Sequence, residues 1–102
     1  MSKRSERRDA HKRFEQLVRE REKLMALEPG AGADNPIQVR SASQIEPHAR
    51  SLHCPRCGPH LRTEHEKARV HEARVWRIVE LKCVRCGRPR TVHFVIVEPL
   101  LQ

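Results

Sequence analysis

Two short stretches decide how this chain is read: Cys54-Pro55-Arg56-Cys57-Gly58 and Cys83-Val84-Arg85-Cys86-Gly87, with 25 residues between the pairs. Two residues between cysteines allow both sulfurs of a pair to reach one ion from a single tight turn. Two such turns supply a tetrahedral four-sulfur shell. Gly58 and Gly87 fit this geometry, because the chain must turn sharply after the second thiolate, commonly with positive φ. Pro59 and Pro89 follow closely, so the two turns form a small internal repeat. The expected ligands are Cys54, Cys57, Cys83 and Cys86, and the expected cofactor is one structural Zn2+ ion.

The rest of the chain supports a metal rather than disulfides. All four cysteines fall in the two pairs. The N-terminus, Met-Ser-Lys-Arg-Ser-Glu-Arg-Arg, has no apolar stretch behind its charges and so does not read as an export signal. Apolar runs such as Phe94 to Val97 are far too short to span a bilayer. Glu6, Asp9 and Glu15 break the acid-poor pattern of a mitochondrial transit peptide. A soluble protein of a reducing compartment, the cytoplasm, is expected. Only three aromatic residues occur, Phe14, Trp76 and Phe94, so a large self-sufficient core is not expected and the metal must supply part of the stability.

Upstream, residues 5 to 28 read as a helix: Ala10, Phe14, Leu17, Val18, Leu24 and Met25 recur at helical spacings with charges between them. Its first turns carry Lys3, Arg4, Arg7, Arg8, Lys12 and Arg13, which oppose the positive end of the helix dipole. Residues 28 to 36, Glu-Pro-Gly-Ala-Gly-Ala-Asp-Asn-Pro, break the helix and read as a linker. Residues 37 to 53 lack periodicity. Ile37 and Val39 could form a short edge strand, and Pro47 argues against a longer one.

Downstream, the pattern becomes that of strands. Leu61 to about His71 and Arg74 to Lys82 read as a hairpin whose turn, near Glu72, lacks the glycine one would prefer. Thr91 to Val97 supplies a third, β-branched strand. Val75, Val79 and Leu81 share one face of the second strand while Trp76 and Ile78 occupy the other. On the third strand Val92, Phe94 and Ile96 oppose Val95 and Val97. With both faces partly apolar, the second should be covered by the N-terminal helix, by residues 37 to 53 or by a partner chain.

The two Cys-x-x-Cys-Gly turns resemble the knuckles of the zinc ribbon superfamily, in which two knuckles clasp one zinc beside a three-stranded antiparallel sheet. The resemblance covers residues 54 to about 98. It implies a small, metal-dominated α+β fold: a basic amphipathic helix over residues 1–28, a linker and irregular segment over 29–53, and a zinc ribbon over 54–102. The spacer exceeds the roughly 15 to 20 residues typical of the motif, which calls for a longer hairpin. The knuckles also resemble the iron site of rubredoxin, although rubredoxins are usually acidic and richer in aromatics. A reversible dithiol switch is a third reading, one that would not require two matched pairs. His53 and His60 flank the first knuckle but are expected to be bystanders.

No catalytic constellation is present in the sequence. Four thiolates close the shell that a catalytic zinc keeps open, and no Ser-His-Asp set, phosphate-cradling glycine loop or acid–base carboxylate pair is apparent. The formal charge is +8. Residues 1–28 hold nine basic and six acidic residues, 29–53 two of each, and 54–102 ten and five. A basic chain favours acidic partners. Zinc ribbons often serve transcription and translation machinery, so the resemblance implies nucleic acid or nucleoprotein as partner. Arg56, Arg62, Lys82, Arg85, Arg88 and Arg90 are the expected contacts, gathered by the knuckles at one end of the sheet. The alternative is an assembly module in which Phe14, Leu17, Leu24 and Met25 dock on a protein partner or a second copy of the helix. Neither a membrane nor a small-molecule substrate is expected.

Overall fold

A computed structural model describes residues 3–97; Met1, Ser2 and the last five residues of the expected 54–102 unit lie outside the described part. Helix α1 runs from Lys3 to Leu27. Strand β1 is Ile37–Val39. A 3-10 turn at Ala42–Gln44 leads into helix α2, Ile45–Arg50. Strands β2 (Leu61–His71), β3 (Arg74–Cys83) and β4 (Pro89–Ile96) follow. The fold is α+β, but the sheet is not the expected three-stranded antiparallel one. It has four strands in the order β1-β4-β3-β2, and β1 lies parallel to β4 with Ile37 opposite Phe94 and Val39 opposite Ile96.

The added strand explains the apolar run Val92–Val97. Because β4 sits between β1 and β3, it is an interior strand, and interior strands bury both faces. Val92, Phe94 and Val95 are all buried. Strand β2 forms one edge, is exposed along nearly its whole length, and carries charges at seven of its eleven positions if its histidines are counted. Such charge protects an edge from pairing with other chains. A register irregularity between Thr63 and His65 bends it further.

The segment read as linker and irregular chain is in fact half of the core. Ile45 and Ala49, one helical turn apart on α2, are buried with Val39, Val79, Leu81, Val92 and Phe94. Pro47 opposes a strand, as the sequence indicated, but it stands in the first turn of α2, where a backbone N–H has no intrahelical partner to lose. On the outer side of α2, Glu46 and Arg50 form a 2.7 Å ion pair. Phe94 is fully buried at the centre and meets the His48 ring edge-on, with centroids 5.7 Å apart. On the opposite face of the sheet, Ala33 from the linker borders a shallow depression with Trp76, Ile78 and His93. The His93 N–H also donates to the Gly30 carbonyl at 2.7 Å, which stitches the linker to β4.

The hairpin turns on Glu72 and Ala73, both left-handed at φ 51° and 63°. That is the two-residue geometry matched to strand twist, and it costs about 1 kcal/mol or more at each residue bearing a Cβ. Ala73→Gly is therefore expected to raise stability by about 0.5–1 kcal/mol. Chemical denaturation of the metal-loaded protein checks it; a loss of stability would contradict the turn assignment.

Helix α1 covers neither face of the sheet. It lies across the knuckles with its second half, while residues 3–14 are exposed, and the molecule is long, 69 × 23 × 20 Å.

Candidate metal centre

The two knuckles fold alike because the same five-residue pattern makes the same hydrogen bonds. The Gly58 N–H donates to the Cys54 carbonyl at 3.0 Å, and the Gly87 N–H to the Cys83 carbonyl at 2.9 Å. Both glycines have positive φ, 87° and 76°. At Gly58 an added Cβ would meet nothing within 4 Å, so backbone conformation rather than space calls for glycine there. The Val84 N–H donates to the His60 carbonyl at 2.9 Å and ties one knuckle to the other.

The hairpin brings the knuckles together. The first knuckle leads into β2, Cys83 is the last residue of β3, and Leu61 and Cys83 are register partners. Arms of eleven and ten residues, with a two-residue turn between them, account for the long spacer.

Cys54, Cys57, Cys83 and Cys86 place all four sulfurs within 4.8 Å of one another. The Cys54 and Cys86 sulfurs are 3.6 Å apart, close to the ~3.8 Å edge of a tetrahedron whose metal–sulfur bonds are about 2.3 Å. They are far from the ~2.05 Å of a disulfide, and all four cysteines are free thiols. The cluster is therefore suited to one four-coordinate metal ion. Cys54 and Cys83 are buried, Cys57 is half-buried and Cys86 faces solvent. His53 and His60 do not join the cluster.

The thiols are electrostatically unequal. Loss of solvation raises Cys54 above the usual thiol range, and it pushes Cys57 up to about 12 with the help of the neighbouring Cys86 and Cys83. Cys83 is lowered to about 6, chiefly because the Cys86 N–H donates to its sulfur. A divalent cation would favour the charged form at every sulfur it binds, which offsets the burial that raises Cys54 and Cys57.

The six basic residues expected around the knuckles divide into two groups. Arg56 forms a 2.5 Å ion pair with Glu15 and lies over the Phe14 ring, 5.3 Å from its centroid. Arg88 pairs with Glu22. Arg90 pairs with Glu28 at 3.5 Å and donates to the His53 carbonyl at 2.8 Å. Arg62, Lys82 and Arg85 have no ion-pair partner among the described residues; Arg62 and Lys82 are register neighbours on β2 and β3. The electrostatics agree with the pairing. The hydrogen bond from Arg56 holds Glu15 below the usual carboxylate range, and Glu15 in turn raises Arg56. Arg90 is lowered, mainly by burial.

Glu15, Glu22 and Glu28 were not singled out from the sequence, although the spacing of seven places Glu15 and Glu22 along one side of a helix; Glu28 stands just past the end of α1. Val18 and Met25 lie on the same docked side: Val18 is 1% exposed and Met25 is half-buried. Arg21 adds a hydrogen bond to the Pro55 carbonyl at 3.1 Å. The expected partner face thus splits. Phe14, 39% exposed, lies under the Arg56 guanidinium and Met25 is half-buried, while Leu17 and Leu24 are 41% and 64% exposed.

The chain matches no family model, and no curated protein or solved structure is significantly similar to it. No helix among the described residues is long and apolar enough to cross a membrane.

Proposed function

We propose that this chain is a non-catalytic protein built around one structural zinc ion, a zinc ribbon elaborated by α1, β1 and α2, that works in an intracellular, reducing compartment bound to nucleic acid or nucleoprotein. The observation that carries the structural part is the convergence of four sulfurs from two rigid knuckles. Four sulfur ligands satisfy a tetrahedral ion and leave no position for water or substrate. Zinc suits this set, and the basic, aromatic-poor composition fits an iron protein of the rubredoxin kind badly.

The nucleic-acid part rests on the charge that internal pairing leaves free. With Arg56, Arg88 and Arg90 engaged by Glu15, Glu22 and Glu28, the open basic surface is the exposed first half of α1, with Lys3, Arg4, Arg7, Arg8, Lys12 and Arg13, and the group Arg62, Lys82 and Arg85. Against Glu6 and Asp9 alone, six cations on an undocked arm offer a polyanion a dense line of contacts. So few aromatics give little for bases to stack on, which favours backbone contact over reading of single-stranded sequence.

Binding of the zinc-loaded chain to duplex and single-stranded nucleic acid across a salt series tests this reading. The expected result is affinity that falls steeply with salt, with a log–log slope of about −0.9 per phosphate neutralised on duplex, and with little dependence on sequence. Absence of binding at low salt would make the charge a solubility feature and overturn the reading.

A further inference from the structure

We infer that Arg56, Arg88 and Arg90 form a phosphate-binding face that α1 and the residue following it keep covered, so that nucleic acid and Glu15, Glu22 and Glu28 compete for the same three guanidinium groups. This rests on the nucleic-acid reading above and adds a mode of regulation to it. The three arginines come from two separate stretches of chain, which the knuckles bring together. Of their three partners, Glu15 and Glu22 lie along one side of α1, and Glu28 follows directly after its last residue, Leu27.

A guanidinium offers a planar fork of donors that fits carboxylate and phosphate oxygens alike. The acidic side of α1 therefore presents to the knuckles the chemistry that a phosphate backbone would present. Charge is distributed along the helix accordingly. Bases dominate the free half at residues 3–13, and the acids that reach the knuckles stand in the docked half.

The cover is held in a way that a polymer can undo. Val18 is the only residue of α1 that is buried, while Leu24 and Leu27 are 64% and 79% exposed. An open cleft remains between Glu22, Met25 and Ala26 on the helix and Pro55, Arg88 and Thr91 on the ribbon side. The Arg88–Glu22 pair is 37% and 44% exposed, and Glu28 is 54% exposed although Arg90 is only 16% exposed, so water and salt reach the first pair on both sides and the second from its carboxylate. Duplex DNA carries a charge every ~1.7 Å along its axis, far denser than three carboxylates spread over fourteen residues. A polymer first held by residues 3–13 would arrive beside the covered arginines at high local concentration.

The test compares two triple variants of the full, zinc-loaded chain that change charge equally. Glu15→Gln/Glu22→Gln/Glu28→Gln removes the cover; Glu6→Gln/Asp9→Asn/Glu20→Gln removes three exposed acids of the same helix that do not face the knuckle arginines. Binding of a 20-base-pair DNA duplex is measured across a salt series, with zinc content and circular dichroism confirming the fold. The uncovered variant is expected to bind at least tenfold more tightly than the control, with a slope steeper by about two to three units. Equal affinity and slope for the two variants would overturn the inference while leaving nucleic-acid binding intact. Absence of binding by wild type and both variants would overturn the nucleic-acid reading itself. A measurement on the wild-type chain stands independent of the variants: the side-chain 15Nε signals of Arg56, Arg88 and Arg90 should shift together as duplex is added. A response confined to residues 3–13 would overturn the inference.

Discussion

Chelating the metal out of the loaded protein is expected to abolish the strand signal of β2, β3 and β4, and replacing zinc should restore it. The knuckles are the joints of the sheet: Cys83 ends β3, the first knuckle precedes β2, and the Val84–His60 hydrogen bond links the two. Without a cation, burial and the neighbouring sulfurs keep Cys57 protonated, and the hairpin and one backbone hydrogen bond are left to hold the two turns beside each other. Metal binding in small modules of this type contributes on the order of 10 kcal/mol to folding, as much as a whole small domain commonly has to spare. Helix α1 should lose its seat as well, because its Glu15 and Glu22 bond to arginines that the knuckles position. Far-ultraviolet circular dichroism during chelation and readdition checks this. A strand signal unchanged after complete metal removal would show that the apolar core suffices alone.

The second large effect is expected from Phe94→Ala, at about 3–5 kcal/mol. Phe94 is the largest fully buried side chain, flanked in register by Ile37 on β1 and Arg77 on β3, and capped by His48 from α2. Its removal would leave a cavity where the three parts of the core join, in a chain with few other large side chains to fill it. Val70→Ala, at a position 77% exposed on the hairpin, should change stability by no more than about 0.5 kcal/mol. Denaturant unfolding of the metal-loaded variants checks both; a small loss for Phe94→Ala would mean that this core does not hold the sheet.

Some parts of this structure are written in the sequence more plainly than others, and the reason is physical in each case. The cysteine pairs are legible because tetrahedral sulfur coordination demands that spacing and a glycine after it. The hairpin is legible because eleven- and ten-residue arms give alternation room to repeat, and its ends at His71 and Arg74 agree with the expectation. Ile37–Val39 could be read as extended, but three residues carry no information about a parallel partner fifty-seven positions away. Helix α2 was missed because six residues show less than two turns of periodicity, and Pro47 spoke against regular structure unless its place in a first turn is known.

Helix α1 shows a different limit. Ala10, Leu17 and Leu24 stand seven apart and give the clearer apolar stripe, yet the docked side carries Val18, Met25, Glu15 and Glu22, with Glu28 just beyond the helix. Apolar periodicity marks a buried face only when the partner surface is apolar. Here the partner surface is a set of arginines, so acids mark the docked side and hydrophobicity alone points beside it. The same contact explains why three of the six knuckle cations, read as free for a partner, already have one within the chain.

The central claim, a closed four-sulfur zinc site formed by Cys54, Cys57, Cys83 and Cys86, is tested most directly by X-ray absorption at the metal edge, with metal content measured on the same sample. The account predicts one zinc per chain with four sulfur neighbours at about 2.3 Å and no oxygen or nitrogen ligand. Iron in place of zinc, a shell of fewer than four sulfurs with a light-atom ligand, or cysteines joined in disulfides with no metal bound would each contradict it.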